Sequence, residues 1–274
     1  MSINLFTVET HYQQHRDTYS DPFRLRIHRA LSWLGKAWAI LEVPNPFRNI
    51  PYHVDTTTGE FLFFKLMNFT SLSSLSEAVS VDEEWRASLL KPSEPRDWDM
   101  AFQSLWIAFN AAYARELDGR SISNDRSDFR RFLNAICRLD EEKLIYALVW
   151  QTFPGAIRSL LGNRYVFQPF WDFHNGKISE IAWQEEFEKS GKKAQRALAA
   201  QDTDTVLLIM FDRLYTLRNQ IIHGGATYGS QANRSQLKDA CRILTSLLPL
   251  ILHIMQQHPD YAWGKPYYPF VNGD

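Results

Sequence analysis

The sequence predicts an all-α fold, and three observations lead to that prediction. Apolar residues recur at three- and four-residue steps along most of the chain, which is the spacing of one face of a helix. Hydrophobic residues make up 45% of the 274 residues, enough to bury a sizeable core. The chain contains only two cysteines, which excludes a disulfide framework and a cysteine-rich zinc site as sources of stability. A helical bundle with an apolar core satisfies all three observations.

Seven segments have helical spacing. In the first, Asp21 is a plausible N-cap and Pro22 suits the first turn, because proline lacks the backbone donor that a helix start leaves unused. In the last, Pro249 is expected to kink the helix, since it removes one backbone hydrogen bond and crowds the preceding turn. The segments are residues 23–41, 98–117, 128–139, 141–153, 178–199, 203–223 and 235–257.

One stretch interrupts the helical pattern. Residues 43–51 contain three prolines and cannot form a helix interior. After them, residues 52–55 and 60–68 flank a Thr-Thr-Thr-Gly sequence that is typical of a hairpin turn. We therefore predict one helical domain over residues 1–274, with a small irregular and β-hairpin insertion at about residues 43–97.

Charge and hydropathy exclude several classes of protein. The formal net charge of −1 argues against general coating of nucleic acid, although a local basic site stays possible. The longest apolar stretch, residues 243–255, is short and interrupted by polar residues and a proline, so we expect no membrane span. The first 17 residues lack the basic and apolar regions of a signal peptide, so the expected location is cytoplasmic.

The strongest local signal lies at the end of the predicted helix 203–223. Thr203 or Asp204 can cap its start, and two glycines after His223 favour a helix end there, because glycine adopts the left-handed conformation at little cost. His223 should then lie in the last turn. Asn219 lies four residues before it on the same face, and Arg218 is about 100° around the helix from Asn219, with a side chain long enough to swing towards His223.

These three residue types suit a phosphodiester substrate. A guanidinium can hold phosphate oxygens with two parallel hydrogen bonds and offset the charge of a pentacoordinate transition state. An imidazole exchanges protons at near-neutral pH, and an amide can orient the ribose or the phosphate. The scheme needs no metal and no cofactor, and the sequence shows no clear carboxylate cluster that would hold a metal.

Two simpler interpretations stay open. A histidine at a helix end can do no more than complement the helix dipole, and an Arg-Asn pair can be an ordinary surface pair. The pattern is also short, and residues 48–53 match the same Arg-Asn-x-x-x-His sequence. That second match contains Pro51 and falls in the predicted insertion, where no helix would hold its side chains together, so we treat it as a chance match.

A helix that ends in Arg-polar-x-x-x-His-Gly within an all-α domain resembles the signature of the HEPN superfamily (higher eukaryotes and prokaryotes nucleotide-binding domains). Further blocks look similar to one bacterial group of HEPN-domain proteins, whereas residues 43–97 look specific to this chain. The blocks are residues 28–34, 105–113, 158–163, 170–171 and 214–236.

The resemblance implies a HEPN-like helical bundle that forms a homodimer, in which the two copies of the Arg–His helix meet at a shared cleft. Active members are similar to metal-independent endoribonucleases of the toxin or phage-defence type, in which the RNA 2′-hydroxyl attacks the adjacent phosphate. On this resemblance Arg218 and His223 match the catalytic pair, and Asn219 matches the polar residue after the arginine. The implied partners are RNA, a second copy of the chain, and an antitoxin or regulatory protein.

We add candidates of our own for the lining of that cleft. They are Tyr215, Arg213 and the loop of residues 226–234, with Arg234 as its substrate-binding arginine. Two alternatives to a nuclease stay open: a non-catalytic HEPN module that binds RNA, a nucleotide or a partner protein through the same cleft, and a helical scaffold in which the motif is accidental.

Overall fold

The computed structural model describes residues 3–41, 96–115, 125–229, 234–266 and 268, and this part of the chain contains helices and no strand. The predicted all-α class is confirmed. Contacts divide the chain into two units, Met1–Leu41 with Asp97–Asp274, and Glu42–Arg96. The fold below is that of the first unit. The hairpin predicted at residues 52–68 and the second motif at residues 48–53 lie outside the described residues.

Ten α-helices build the described part of the first unit. In chain order they are α1 (Leu5–His15), α2 (Asp21–Leu41), α3 (Trp98–Tyr113), α4 (Asp125–Leu139), α5 (Leu144–Ala147), α6 (Pro154–Gly162), α7 (Gln168–His174), α8 (Glu180–Ala199), α9 (Thr203–Ile222) and α10 (Arg234–Gln257). Short 3₁₀ turns follow α1 and α6, at Arg16–Thr18 and Arg164–Val166. A π turn, Leu148–Thr152, continues α5.

The helical spacing predicted six of these helices to within a few residues and missed three. Helix α3 ends four residues earlier than expected, and the segment predicted as one helix over 141–153 is the single turn of α5 followed by the π turn. Helix α1 escaped detection because its buried residues, Leu5, Val8 and Tyr12, supply only about one apolar contact per turn. Helices α6 and α7 are too short to show a repeating pattern, and each has a proline in its first turn.

The core forms where α2 and α10 pack against α3. Ile27 and Leu34 of α2 and Phe102 and Phe109 of α3 are completely buried there. Helix α10 continues through Pro249, which is itself buried. Helix α9 packs against α3, α4, α6 and α8 and so occupies a central position in the bundle. Within the described part of the chain, no helix combines the length and apolar character that crossing a bilayer requires.

A buried arginine joins three distant segments of this bundle. Arg26 of α2 is 1% exposed, and its Nη1 donates hydrogen bonds of 2.8 Å to the carbonyl oxygens of Ala112 and Ala114, at the end of α3. Its Nη2 donates to the carbonyl oxygen of Gly264, at 3.1 Å. Burial, and then the charge of Arg115, lower the pKa of Arg26 to about 10, so the guanidinium stays charged at neutral pH. It satisfies the carbonyls that the end of α3 would otherwise leave unpaired.

We expect Arg26→Met to lower the free energy of unfolding by about 3 kcal/mol, because methionine fills much of the space but leaves buried carbonyls without donors. Urea denaturation measures the change. Arg24→Met is the matched control on the same helix: Arg24 forms an exposed ion pair with Asp21, and its loss should cost less than about 1 kcal/mol. Equal losses in the two variants would contradict the role assigned to Arg26.

Candidate functional site

Helix α9 is buried for most of its length and emerges at its C-terminal end. The helix is capped by Asp202, whose carboxylate accepts the backbone N–H of Thr205 at 3.0 Å, so the expected cap at Thr203 or Asp204 was wrong by one or two residues. Leu217 is 3% exposed, the next two residues, Arg218 and Asn219, are half-buried, and His223 is exposed. The three predicted catalytic residues therefore share the emerging end of one helix.

The end of α9 is fixed by its backbone. His223 is the C-cap residue, and its N–H donates to the carbonyl oxygen of Asn219 at 3.0 Å. Gly224 has φ of +71° and donates its N–H to the carbonyl oxygen of Ile221 at 3.2 Å. The glycine stop predicted from the sequence is confirmed. It places His223 at the end of the helix, where its ring reaches solvent.

Arg218 has an unusual set of neighbours for a half-buried cation. Its Nη1 donates to Oδ1 of Asn219 at 3.0 Å, while its Nε is buried and has no hydrogen-bond partner in the described part of the chain. Among the described residues no carboxylate pairs with it, and neither its side chain nor that of Asn219 is hydrogen-bonded to His223. A guanidinium taken partly out of water gains from an anion, so this position favours binding of a negatively charged group.

Two arginines of α4 differ from Arg218 in having an acidic partner. Arg130 of α4 contacts Asp212 of α9 at 2.5 Å, and Arg131 pairs with Asp128 on its own helix. On α8, lysines form similar pairs with glutamates one turn away. These ion pairs neutralise part of the positive charge that the arginines and lysines give to α4 and α8.

Tyr215 packs against the aromatic core one turn before the candidate site residues. It lies one turn before Asn219 and is half-buried, with its ring centroid 6.1 Å from those of Trp106 and Phe129. Aromatic pairs at this separation add to the stability of a core beyond the area they bury. Tyr215 therefore links the helix end that carries Arg218 to α3 and α4.

Arg213 does not share the exposed face. Its side chain is 2% exposed, and its Nη2 donates to Oγ of Ser190 at 3.0 Å, in the contact between α9 and α8. The guanidinium carbon lies 4.2 Å from the centroid of the Phe167 ring, a cation–π contact. Burial lowers the pKa of Arg213 to about 10. Contact with a substrate would require this side chain to leave its buried position, so Arg213 is not included in the site proposed below.

Arg234 is engaged in a partly buried ion pair. Its Nη1 lies 2.7 Å from Oδ2 of Asp99, and the two side chains are 14% and 11% exposed. Nearby, the hydroxyl of Tyr228 donates to Oδ2 of Asp97 at 2.7 Å, while Oδ1 of Asp97 caps α3. The two contacts attach Tyr228, in the loop after His223, and Arg234, the first residue of α10, to the start of α3. A substrate would have to compete with Asp99 for Arg234.

The exposed apolar side chain of Ile222, next to His223, escaped the sequence analysis, whereas Tyr228 lies in the loop of residues 226–234 that was predicted to line the cleft. Ile222 is 50% exposed and Tyr228 is 70% exposed. Periodicity could not identify Ile222, because an isoleucine at the end of an apolar helix is usually buried. Its exposure depends on where neighbouring helices stop, which only the tertiary structure decides.

Within the described ranges, no group of three or more His, Cys, Asp or Glu side chains is placed to hold a metal ion. Comparison with known proteins finds no matching family model, no matching curated protein and no matching solved structure.

We expect Gly224→Ala to lower the free energy of unfolding by about 1 kcal/mol, because a side chain at positive φ crowds the backbone. Gly191→Ala on α8 is the control. A Cβ there meets no atom within 4 Å, and replacing glycine inside a helix should raise stability by about 0.5 kcal/mol. Thermal or urea denaturation of both variants measures the difference. Stabilisation by both substitutions would contradict a helix stop that needs glycine.

Proposed function

We propose that this protein is a metal-independent endoribonuclease that acts as a homodimer, with Arg218, Asn219 and His223 at its active site. The observation that carries the proposal is the state of Arg218: a half-buried guanidinium, oriented by an amide, without a carboxylate partner among the described residues. It shares the exposed end of α9 with a histidine. The resemblance of the motif to the HEPN signature supports a ribonuclease of the toxin or defence type, whose activity a partner protein would restrain.

In the proposed reaction the RNA 2′-oxygen attacks the adjacent phosphorus, and the bond from phosphorus to the 5′-oxygen breaks. One imidazole takes the 2′-hydroxyl proton and another gives a proton to the leaving 5′-oxygen. With one His223 in each protomer, a dimer that joins two α9 ends supplies both. Arg218 stabilises the charge on the equatorial oxygens, and Asn219 holds its guanidinium in position. The products are a cyclic phosphate and a 5′-hydroxyl.

The surface around His223 supports association of two copies. Ile222 exposes apolar surface next to His223, and Tyr228 exposes more in the loop that follows. Such surface is stabilised when a partner covers it, and a two-fold axis there would bring both copies of the motif together.

We expect purified protein to cleave end-labelled RNA in excess EDTA, and Arg218→Ala and His223→Ala each to lower the rate by at least about 100-fold. Arg196→Ala, which removes an exposed arginine of α8, is the control and should cleave normally. A substrate with a 2′-deoxyribose at the cleaved position should resist, because the attacking hydroxyl is absent. Cleavage that survives both active-site substitutions would contradict the proposal.

The alternative is a non-catalytic module that binds RNA, a nucleotide or a partner protein. It is favoured by the fact that, in the part of the chain that is described, neither the side chain of Arg218 nor that of Asn219 is hydrogen-bonded to the His223 ring. The same assay separates the two functions: a binding module retains RNA on a filter without cutting it, and Arg218→Ala weakens its affinity.

We expect Ile222→Asp to shift the protein from dimer to monomer and to abolish cleavage, because a charge would have to be buried in the interface. Trp33→Asp is the control, since Trp33 is 40% exposed on α2, a helix that packs against α1, α3 and α10. Sedimentation velocity measures the assembly state, and the RNA assay measures activity. An active Ile222→Asp monomer would contradict a shared active site.

A further inference from the structure

A cavity of about 690 Å³ opens between α1, the 3₁₀ turn after it, the start of α2 and the C-terminal segment around Lys265. We propose that this cavity binds a small phosphorylated organic molecule. The proposal goes beyond the nuclease function, since the cavity contains none of the residues assigned to the active site.

Basic side chains from three separate segments line the cavity. Arg16 belongs to the 3₁₀ turn, Arg24 and His28 lie one turn apart on α2, and Lys265 comes from the C-terminal segment. No carboxylate pairs with His28 or Lys265 among the described residues. Convergence of such groups from distant parts of a chain is typical of an anion site, because each cation stabilises a bound phosphate.

The lining has more cations than carboxylates, with three basic side chains besides His28 against two acidic ones. Asp17 and Asp21 have side chains that are 87% and 86% exposed, whereas those of their partners, Arg16 and Arg24, are 39% and 43% exposed. The carboxylates are therefore almost entirely in water, whereas the arginine side chains are more than half covered by the protein. Exposed ion pairs of this kind contribute little, so a doubly charged phosphate can replace the carboxylates as partner of both arginines.

The cavity also offers apolar surface for the rest of a ligand. Pro22, Leu25 and Pro266 line it, and the ring of Tyr12 lies 6.3 Å from that of His28. The volume falls in the range of small-molecule sites, about 300–1,000 Å³, and far exceeds the space that one phosphate group needs. Charge at one part of the wall and apolar surface at another favour an organic phosphate over a free inorganic anion.

The test is calorimetric titration of the whole protein with phenyl phosphate and, separately, with inorganic phosphate. We expect saturable binding of phenyl phosphate with a dissociation constant below about 1 mM, and at least about fivefold weaker binding of inorganic phosphate. Arg24→Ala and Lys265→Ala should each weaken phenyl phosphate binding about tenfold. Lys192→Ala, an exposed lysine of α8, should leave it unchanged.

Three results would overturn the proposal: no saturable binding of phenyl phosphate, unchanged affinity in both Arg24→Ala and Lys265→Ala, or equal affinity for inorganic phosphate. Arg218→Ala separates this site from the nuclease site. It should bind phenyl phosphate as the parent protein does, so that failure of RNA cleavage and failure of the cavity to bind are independent results.

Discussion

The hydrogen bonds of the buried Arg26 guanidinium are the constraint on which much of the described bundle depends. A charge in an apolar interior is costly unless hydrogen bonds offset the loss of water, and here carbonyls at the end of α3 and at Gly264 accept from both terminal nitrogens of the guanidinium. The arrangement fixes where α3 ends, how α2 is rotated against it, and where the C-terminal segment lies. Lys265 follows Gly264 directly, so the hydrogen bond from Arg26 to Gly264 also positions the C-terminal segment that lines the cavity proposed to bind phosphate.

Helix α9 owes its position to a similar constraint. Arg213 is buried between α9 and α8, and the aromatic cluster around Phe211 holds the opposite face against α3 and α4. Both contacts are made by residues before Leu217. The packed part of α9 therefore holds its last turn, which carries the site, in position. The three arginines differ in their partners: carbonyls accept from Arg26, the Ser190 hydroxyl and the Phe167 ring contact Arg213, and among the described residues the Asn219 amide accepts from Arg218. Such support is what a site needs if its groups are to stay in place without rearrangement.

The loop after His223 connects the site to the core. Tyr228 and Arg234 are held by Asp97 and Asp99, which lie at the start of α3. Because α3 packs against α2, α9 and α10, it holds both the end of α9 and the start of α10 in position. In the proposed dimer, Ile222 would be covered by a second copy while this loop stays attached to its own subunit, which leaves His223 accessible between the two.

The sequence by itself determined the helices that have a long apolar face and the glycine stop at Gly224, because helical spacing and left-handed glycine are local properties of the chain. It also singled out Arg218, Asn219 and His223, since their spacing is set within one helix. Only the tertiary structure decided that Arg213 is buried, that Arg234 pairs with Asp99, and that Ile222 is exposed. It alone assembled the cavity from Arg16, Arg24 and Lys265. These features depend on contacts between residues far apart in sequence, which no local pattern records.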